Sequence, residues 1–296
     1  MLGSPHHGEA MDKLLPDRLR ELWQSVERRE LTAEAFTREQ ERLLDGHRRT
    51  WTEALRLDGH LGLEDSLLAE LALYTHCTDL TEVRARCTGA VATLRREWEA
   101  GVRSEDSRSI ERFYDESQTV LYELMWWHGL ADDSSPLAYV TALQFARQRG
   151  CRRYLDFGSG VGSGAILFAR HGFDVALADI SSSLLRFAAW RLERRGLAAY
   201  CIDLKSAALP PAAFDFVTAM DVFEHLVDPV ATVDQLWQAL VPGGHLYARI
   251  AAEDDPDRPQ HIVHDFGPTF ARLRARGFVE TWQDAWLWGH QVFQKT

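Results

Sequence analysis

Apolar positions in the first 130 residues recur on helical faces, whereas those after residue 135 fall into short buried runs alternating with helical ones. Leu14, Leu15, Leu19, Leu22 and Val26 share one face, as do Phe36, Leu43, Leu44, Trp51 and Leu55, and residues 61–74 and 83–98 read the same way. Asp58-Gly59, Gly62 and Thr78-Asp79 punctuate this region into four helices, and 104–129 supplies a fifth. Amphipathic helices with short links predict an antiparallel bundle or an α-helical cap with its own apolar core. A further helix runs from Pro136 and stops at Gly150. Strand signals then lie near 152–157, 173–179, 197–202, 214–220, 244–250, 277–282 and 287–294, with helices between them. The alternation predicts an α/β fold, a mostly parallel seven-stranded sheet with helices on both faces, preceded by an all-α N-terminal domain. The expected boundaries are a disordered polar leader at 1–10, the helical domain at 11–130 and the α/β domain at 131–296.

The stretch Tyr154-Leu-Asp-Phe-Gly-Ser-Gly-Val-Gly-Ser-Gly164 takes the first strand into a helix through alternating glycines, Gly158, Gly160 and Gly162. Glycine there lets the backbone turn sharply and lets a ligand lie against main-chain amides at a helix start. Asp179 follows Gly162 by 17 residues and ends the second strand. An α/β nucleotide fold places a carboxylate at that point to hold two ribose hydroxyls. Asp156 precedes the first glycine by two residues. A negative group beside the loop suits a cationic ligand tail better than a diphosphate.

This loop resembles motif I of the class I S-adenosylmethionine-dependent methyltransferases, and three later segments agree. Cys201-Ile-Asp-Leu204 is similar to that family's adenine-contacting third-strand tip. Asp221-Val-Phe-Glu-His225 is similar to the segment after its fourth strand, and Leu240-Val-Pro-Gly-Gly-His-Leu-Tyr247 to the approach to its fifth. The resemblance spans residues 137–296. It implies a Rossmann-like sheet whose last strand is antiparallel, a ligand crevice between the first and fourth strands, and S-adenosyl-L-methionine as cofactor. Gly158, Gly160, Gly162 and Asp156 would hold the methionine part, Asp179 the ribose hydroxyls and Ile180 the adenine face. Asp203 would accept from the adenine amino group, and Leu204 would cover the ring. Asp221, Glu224 and His225 would face the methyl group and the acceptor. His225 is the candidate general base, because imidazole titrates near neutral pH. Glu224 and His225 fixing the loop by hydrogen bonds is the alternative. Transfer would be a direct in-line displacement at an already activated sulfonium, which requires neither a metal nor a covalent intermediate.

Two more histidines, His261 and His264, fall in a polar loop after strand five. In the resembled family that loop borders the acceptor, which makes His261 the next base candidate and His264 an acceptor contact. A His-x-x-His spacing can bind metal, but Asp265 is the only further donor beside it, so no metal is expected. Tyr114, Tyr122, Trp126, Trp127 and His128 directly precede the α/β half. They offer flat surfaces to an aromatic or cationic acceptor, or pack the bundle onto the sheet. Trp282, Trp286 and Trp288 read as core.

Net charge narrows the partners. At −11, with a pI near 5.5, the chain does not suit a nucleic acid, whose binding neutralises phosphates. Arg18, Arg20, Arg28 and Arg29 alternate with Glu21, Glu27 and Glu30, as on an ion-paired helix face. No apolar run approaches the ~20 residues of a membrane helix, and Cys77, Cys87, Cys151 and Cys201 form no paired spacing. The reading is a cytoplasmic methyltransferase for a small-molecule or peptide acceptor of specialised-metabolite type. Its helical domain would serve as lid, docking surface or homodimer contact. The alternative is a cofactor-binding regulatory or partner-binding protein without turnover. The Asp221 to His225 segment disfavours a nucleotide-dependent oxidoreductase.

Overall fold

The computed structural model describes residues 13–130, 134–253 and 255–296; the leader expected at 1–10 lies outside them. The helical half contains α1 (Leu15–Glu27), α2 (Ala33–Leu55), α3 (Leu63–Thr75), α4 (Leu80–Thr88), α5 (Ala90–Gly101), α6 (Ser107–Glu116) and α7 (Gln118–Trp127). Two predicted helices are therefore each divided. Residues 83–98 break at Gly89, which closes α4 and opens α5. Residues 104–129 break at Ser117, whose extended backbone separates α6 from α7 while its hydroxyl donates to Glu97 at 2.6 Å. Side-chain caps start several helices: Thr32 accepts from Ala35 N, Asp79 from Thr81 N, and Asp106 from Arg108 N.

The second half alternates as expected: α8 (Ser134–Gln148), β1 (Arg153–Phe157), α9 (Ser163–Arg170), β2 (Asp174–Asp179), α10 (Ser182–Glu193), β3 (Tyr200–Asp203) and β4 (Phe214–Ala219). A short 3-10 turn at Phe223–His225 follows, then α11 (Pro229–Ala239), β5 (Leu240–Ala248), α12 (Gly267–Arg276), β6 (Phe278–Gln283) and β7 (Gln291–Lys295). The sheet order is β3-β2-β1-β4-β5-β7-β6, with β1 to β5 parallel and β7 antiparallel to both its neighbours. This is the predicted Rossmann-like sheet. Order reverses between β1 and β4, so a crevice opens at their carboxyl ends.

Side chains alternate across the sheet into two cores. Leu155, Phe157, Val217 and Ala219 pack beneath α11 and α12. Tyr154, Leu177 and Phe216 face the opposite side, and there the apolar cluster does not stop at α8, α9 and α10. It runs on without interruption into Trp51 and Leu55 of α2, Leu67 and Leu71 of α3, and Val120 and Met125 of α7. Among the described residues the helical half therefore shares its main core with the sheet, because the sheet face and the bundle bury one another. Trp51 joins them: it is fully buried, stacks on Tyr139 at 5.8 Å and donates to the Gly129 carbonyl at 2.7 Å. The far end is tied as well. Trp282 Nε1 donates to Asp17 at 2.8 Å, and Trp286 packs against Leu15, Leu19 and Leu43. All four cysteines are free, and no helix among the described residues is long and apolar enough to cross a membrane.

One shared core predicts one cooperative unfolding transition for both halves. Trp51→Ala should cost about 3–5 kcal/mol in urea melts, the usual cost of emptying a large aromatic site. A second transition, with the sheet half surviving alone, would restore the independent bundle.

Candidate active site

A cavity of about 530 Å³ opens at the β1/β4 switch point, between the glycine loop and the inner face of α6 and α7. The loop has positive φ at all three glycines, and two of them admit no substitute. A Cβ on Gly158 (φ 67°) would lie 2.5 Å from Val222 Cγ2, and one on Gly162 (φ 73°) 2.8 Å from Ala188 Cβ. Asp179 locks the loop in place: its Oδ2 accepts from Gly160 N and its Oδ1 from Ser181 N, each at 2.8 Å. Burial raises the Asp179 pKa, against the backbone amides that lower it. Ile180, Leu184 and Leu204 form an apolar wall beside this carboxylate.

The serine run after β2 fastens α6 across the opening. Ser181 Oγ donates to the Tyr114 carbonyl at 2.7 Å, Ser183 Oγ to the Asp115 carbonyl at 2.9 Å, and Ser182 N to Asp115 Oδ1 at 2.8 Å. Tyr114 is thereby held over the cavity, with its hydroxyl 3.4 Å from His225 Nδ1.

The other end is built by the 3-10 turn and the loop after β5. Asp221 has a positive φ of 49°, strained for a residue with a Cβ, and lies 3.7 Å from His128 Nδ1 and 3.6 Å from Arg249 Nη1. The Glu224 carbonyl accepts from Ile262 N and Val263 N, which draws His261 alongside. His225 Nδ1 lies 3.0 Å from the Gln260 carbonyl. A carbonyl can only accept, so Nδ1 carries the proton and Nε2 keeps its lone pair. Burial, then the His261 ring, push His225 down to about 3, so it is neutral at physiological pH. Burial and the Asp221 carboxylate push Glu224 up to about 8.

Several expectations need correction. Asp156 does not line the cavity: it is fully buried behind the loop, accepting from Tyr139 OH at 3.0 Å and Thr218 Oγ1 at 3.1 Å, and burial pushes it up to about 7. Asp203 also stands off the cavity, its carboxylate taken by Ser182 Oγ at 2.5 Å and Lys205 N at 3.0 Å. Tyr122 and Trp126 turn away from the cavity: Tyr122 is buried against Arg86, and Trp126 lies under Arg84. Trp127 is on the surface at 38% exposure. His264 is exposed and does not pair with His261. The imidazole beside His261 is His225, with ring centroids 4.9 Å apart, and Glu224 joins them with one donor atom from each residue within 4.8 Å of the others. Trp288 packs against the Leu15, Leu19 and Leu43 cluster, as expected of a core residue, and also lines the cavity.

The α7 face that does line the cavity is Val120, Glu123, Leu124 and His128, with Phe113 and Tyr114 from α6. Their spacing of three, one and four residues is a helical stripe, and it selects Glu123 over the more conspicuous Tyr122 and Trp126. Arg249, Glu253 and Arg258 were missed as well. Arg249 follows the last residue of β5, at the rim where such sheets carry function, so its position could have revealed it.

A family model described as a methyltransferase domain matches residues 126–292, and the chain belongs to that family, the class I S-adenosylmethionine-dependent methyltransferases. Its cofactor is S-adenosyl-L-methionine. The chain is 33% identical to a ubiquinone biosynthesis O-methyltransferase of Ralstonia nicotianae over 146 residues, 44% of this chain and 61% of that protein. It is 31% identical to a demethylmenaquinone methyltransferase of Thermus thermophilus over 109 residues, 36% of this chain and 50% of that one. A crystal structure of a SAM-dependent methyltransferase from Aquifex aeolicus aligns at 19% identity and a TM-score of 0.43, covering 55% of this chain and 93% of that one. The chain thus spans between half and three-fifths of these two curated relatives.

The raised Glu224 pKa fixes the sign of a pH effect. An ordinary glutamate ionises near 4.5 and this one at about 8, so the folded protein binds the extra proton between those values. Stability from this group is full at low pH and falls as pH rises through that window, by at most about 1.4 kcal/mol per pH unit. Glu224→Gln should flatten the decline in Tm between about pH 6 and about 8. Equal slopes in variant and wild type would assign the decline to another group.

Proposed function

We propose that this protein transfers a methyl group to an oxygen of a small aromatic or otherwise flat acceptor, in a reducing cytoplasm that its free thiols suit. The observation that carries the reading is His225, a neutral imidazole lining the cavity with Nδ1 committed to Gln260 and Nε2 left as acceptor. Phe113, Tyr114 and Trp288, which line the same cavity, favour a flat acceptor. The relatives named for O-methyl transfer support oxygen as the accepting atom.

The cavity's chemistry fits S-adenosylmethionine. Asp179 stands next to Ile180 and Leu204, a carboxylate for a ribose diol beside an apolar slot for a purine, and the glycine loop presents backbone to the methionine part. Glu123, Asp221 and Glu253 outnumber Arg249 and Arg258 around the remaining space, which favours a sulfonium over a diphosphate. When bound, the cofactor supplies an activated methyl group. Asp156 and Asp203 act from behind, Asp156 by holding Tyr139 and Thr218 and Asp203 by holding Ser182 at the start of α10. His225 receives a hydrogen bond from the acceptor hydroxyl. Its weak basicity is sufficient, because an oxygen gaining a methyl group becomes strongly acidic and releases its proton only as the new bond forms. Asp221 then favours the imidazolium, as its charge already raises the His225 pKa against burial.

Two variants separate binding from proton transfer. Asp179→Ala should weaken S-adenosylmethionine by about 1.5–3 kcal/mol in calorimetry, for loss of hydrogen bonds to a charged group. Unchanged affinity, or binding of NAD in its place, would overturn the cofactor assignment. His225→Ala should lower turnover of phenolic acceptors by roughly 10²–10⁴-fold with cofactor affinity kept. Equal turnover would return His225 to loop geometry, and a wild-type protein that binds cofactor yet methylates nothing would favour a regulatory role.

A further inference from the structure

Behind the glycine loop, on the side away from the cavity, lies a group of charges that the reaction does not touch. Glu70 of α3, Arg191 of α10 and Arg195 just after it have side chains at most 1% exposed. Glu70 Oε2 accepts from Arg191 Nε and Nη2, both at 3.3 Å, and Glu70 Oε1 accepts from Arg195 Nη1 at 2.5 Å. Arg195 also donates to the Leu55 carbonyl at the end of α2. Arg191 has one nitrogen left, and it points at the loop: Nη1 donates to the Val161 carbonyl at 2.8 Å and to Ser163 Oγ at 2.9 Å. Val161 and Ser163 bracket Gly162, and both line the cavity, whereas Glu70 and Arg191 do not.

Chemistry fixes the direction of dependence. A guanidinium buried without a counter-charge is costly, and Glu70 is the only carboxylate bonded to Arg191 among the described residues. Burial lowers the Arg191 pKa and Glu70 opposes it. A planar fork can serve a carboxylate on one edge and a carbonyl and hydroxyl on the other at once; an ammonium has no such shape. The Gly160 and Gly162 amides are held by Asp179 and the Ser159 carbonyl, and Arg191 holds the Val161 carbonyl between them, where glycines in left-handed conformations would otherwise have many alternatives.

We infer that Glu70 and Arg191 form a brace by which the helical half sets the shape of the cofactor loop, so that Glu70, far from the cavity in α3, is a positioning residue for cofactor binding. The inference rests on the cofactor reading above. It gives the helical half a task within the site that is separate from covering it. Loss of the brace frees the Val161 carbonyl and lets the loop sample shapes in which its amides no longer converge on the ligand.

Arg191→Lys keeps a charge for Glu70 and removes the fork; Glu70→Gln keeps the shape and removes the charge. Leu71→Ala, one residue along α3 and buried in the apolar core, serves as a comparison that lowers stability without touching the brace. S-adenosylhomocysteine affinity by calorimetry, well below each protein's Tm, should fall about 10-fold or more in Arg191→Lys and Glu70→Gln, and less in Ser163→Ala. Leu71→Ala should bind like the wild type despite its lower Tm. Hydrogen exchange at the amides of residues 160–163 should quicken in the brace variants alone. Wild-type affinity in Arg191→Lys, or an equal loss in Leu71→Ala, would overturn the brace. If Glu70→Gln does not fold, Arg191→Lys and Ser163→Ala decide the matter. A wild-type protein that binds no S-adenosylhomocysteine would overturn the cofactor reading, while the exchange measurement would still test the brace.

Discussion

Mutual burial of the helical half and one face of the sheet is the constraint on which the site depends. A mostly parallel sheet is apolar on both faces and must be covered on both. Helices α11 and α12 cover one face; on the other, α8, α9 and α10 are continued outward by α2, α3 and α7. Because that packing is continuous, α7 cannot move relative to β1 and β4 without opening the core at Met125 and Val120. The stripe of Val120, Glu123, Leu124 and His128 is therefore held opposite the glycine loop, and a Cβ on Gly160 would lie only 3.0 Å from Leu124. What reads along the chain as two domains behaves in packing as one body with a cleft.

That packing also explains which parts of the site could be read in advance. Features written in local chemistry were legible: alternating glycines demand left-handed backbone, Asp179 ends its strand, and the alternation of short apolar runs with helical ones sets all seven strands. Features that depend on which face of a helix meets a distant element were not. Trp126 and Trp127 are large and rare, yet the face that reaches the cavity is set by how α7 packs on α3, α4 and α5, whose Leu67, Val83 and Cys87 share its core. Asp156 was misjudged for a similar reason. A motif residue beside a loop can point into the ligand space or beneath it, and only the Tyr139 and Thr218 hydroxyls, many residues away, settle that it points beneath.

Charge at the acceptor end follows from burial more than from count. Arg249 is bound to Glu253 and close to Asp221, and Arg258 reaches Glu123, so the cations present are already engaged. Glu224 forms no ion pair with a cation among the described residues and lies beside Asp221, so holding a proton relieves both burial and repulsion, against the weaker pull of Arg249. His225 and His261 are depressed by burial, and the uncharged forms of all three groups are the inexpensive ones. A cationic ligand would reverse that preference for Glu224 alone, because an ionised carboxylate gains a counter-charge where an imidazolium would meet a like charge.

The buried charges behind the loop pose the opposite question, since nothing there meets a ligand. One carboxylate faces two guanidiniums, and a group with net positive charge sealed from water is a poor source of stability compared with apolar residues of the same volume. Packing alone would be better served by leucine or methionine at all three positions. What apolar side chains cannot do is supply donors to a backbone carbonyl inside the core, and the Val161 carbonyl at the turn into α9 needs one, because Gly162 reverses the chain there and takes the next amides away from it. The loop that gives up side chains to meet the cofactor thus leaves its own backbone unsatisfied from behind, and the charge carried into the core by α3 and α10 is the physical answer to that deficit.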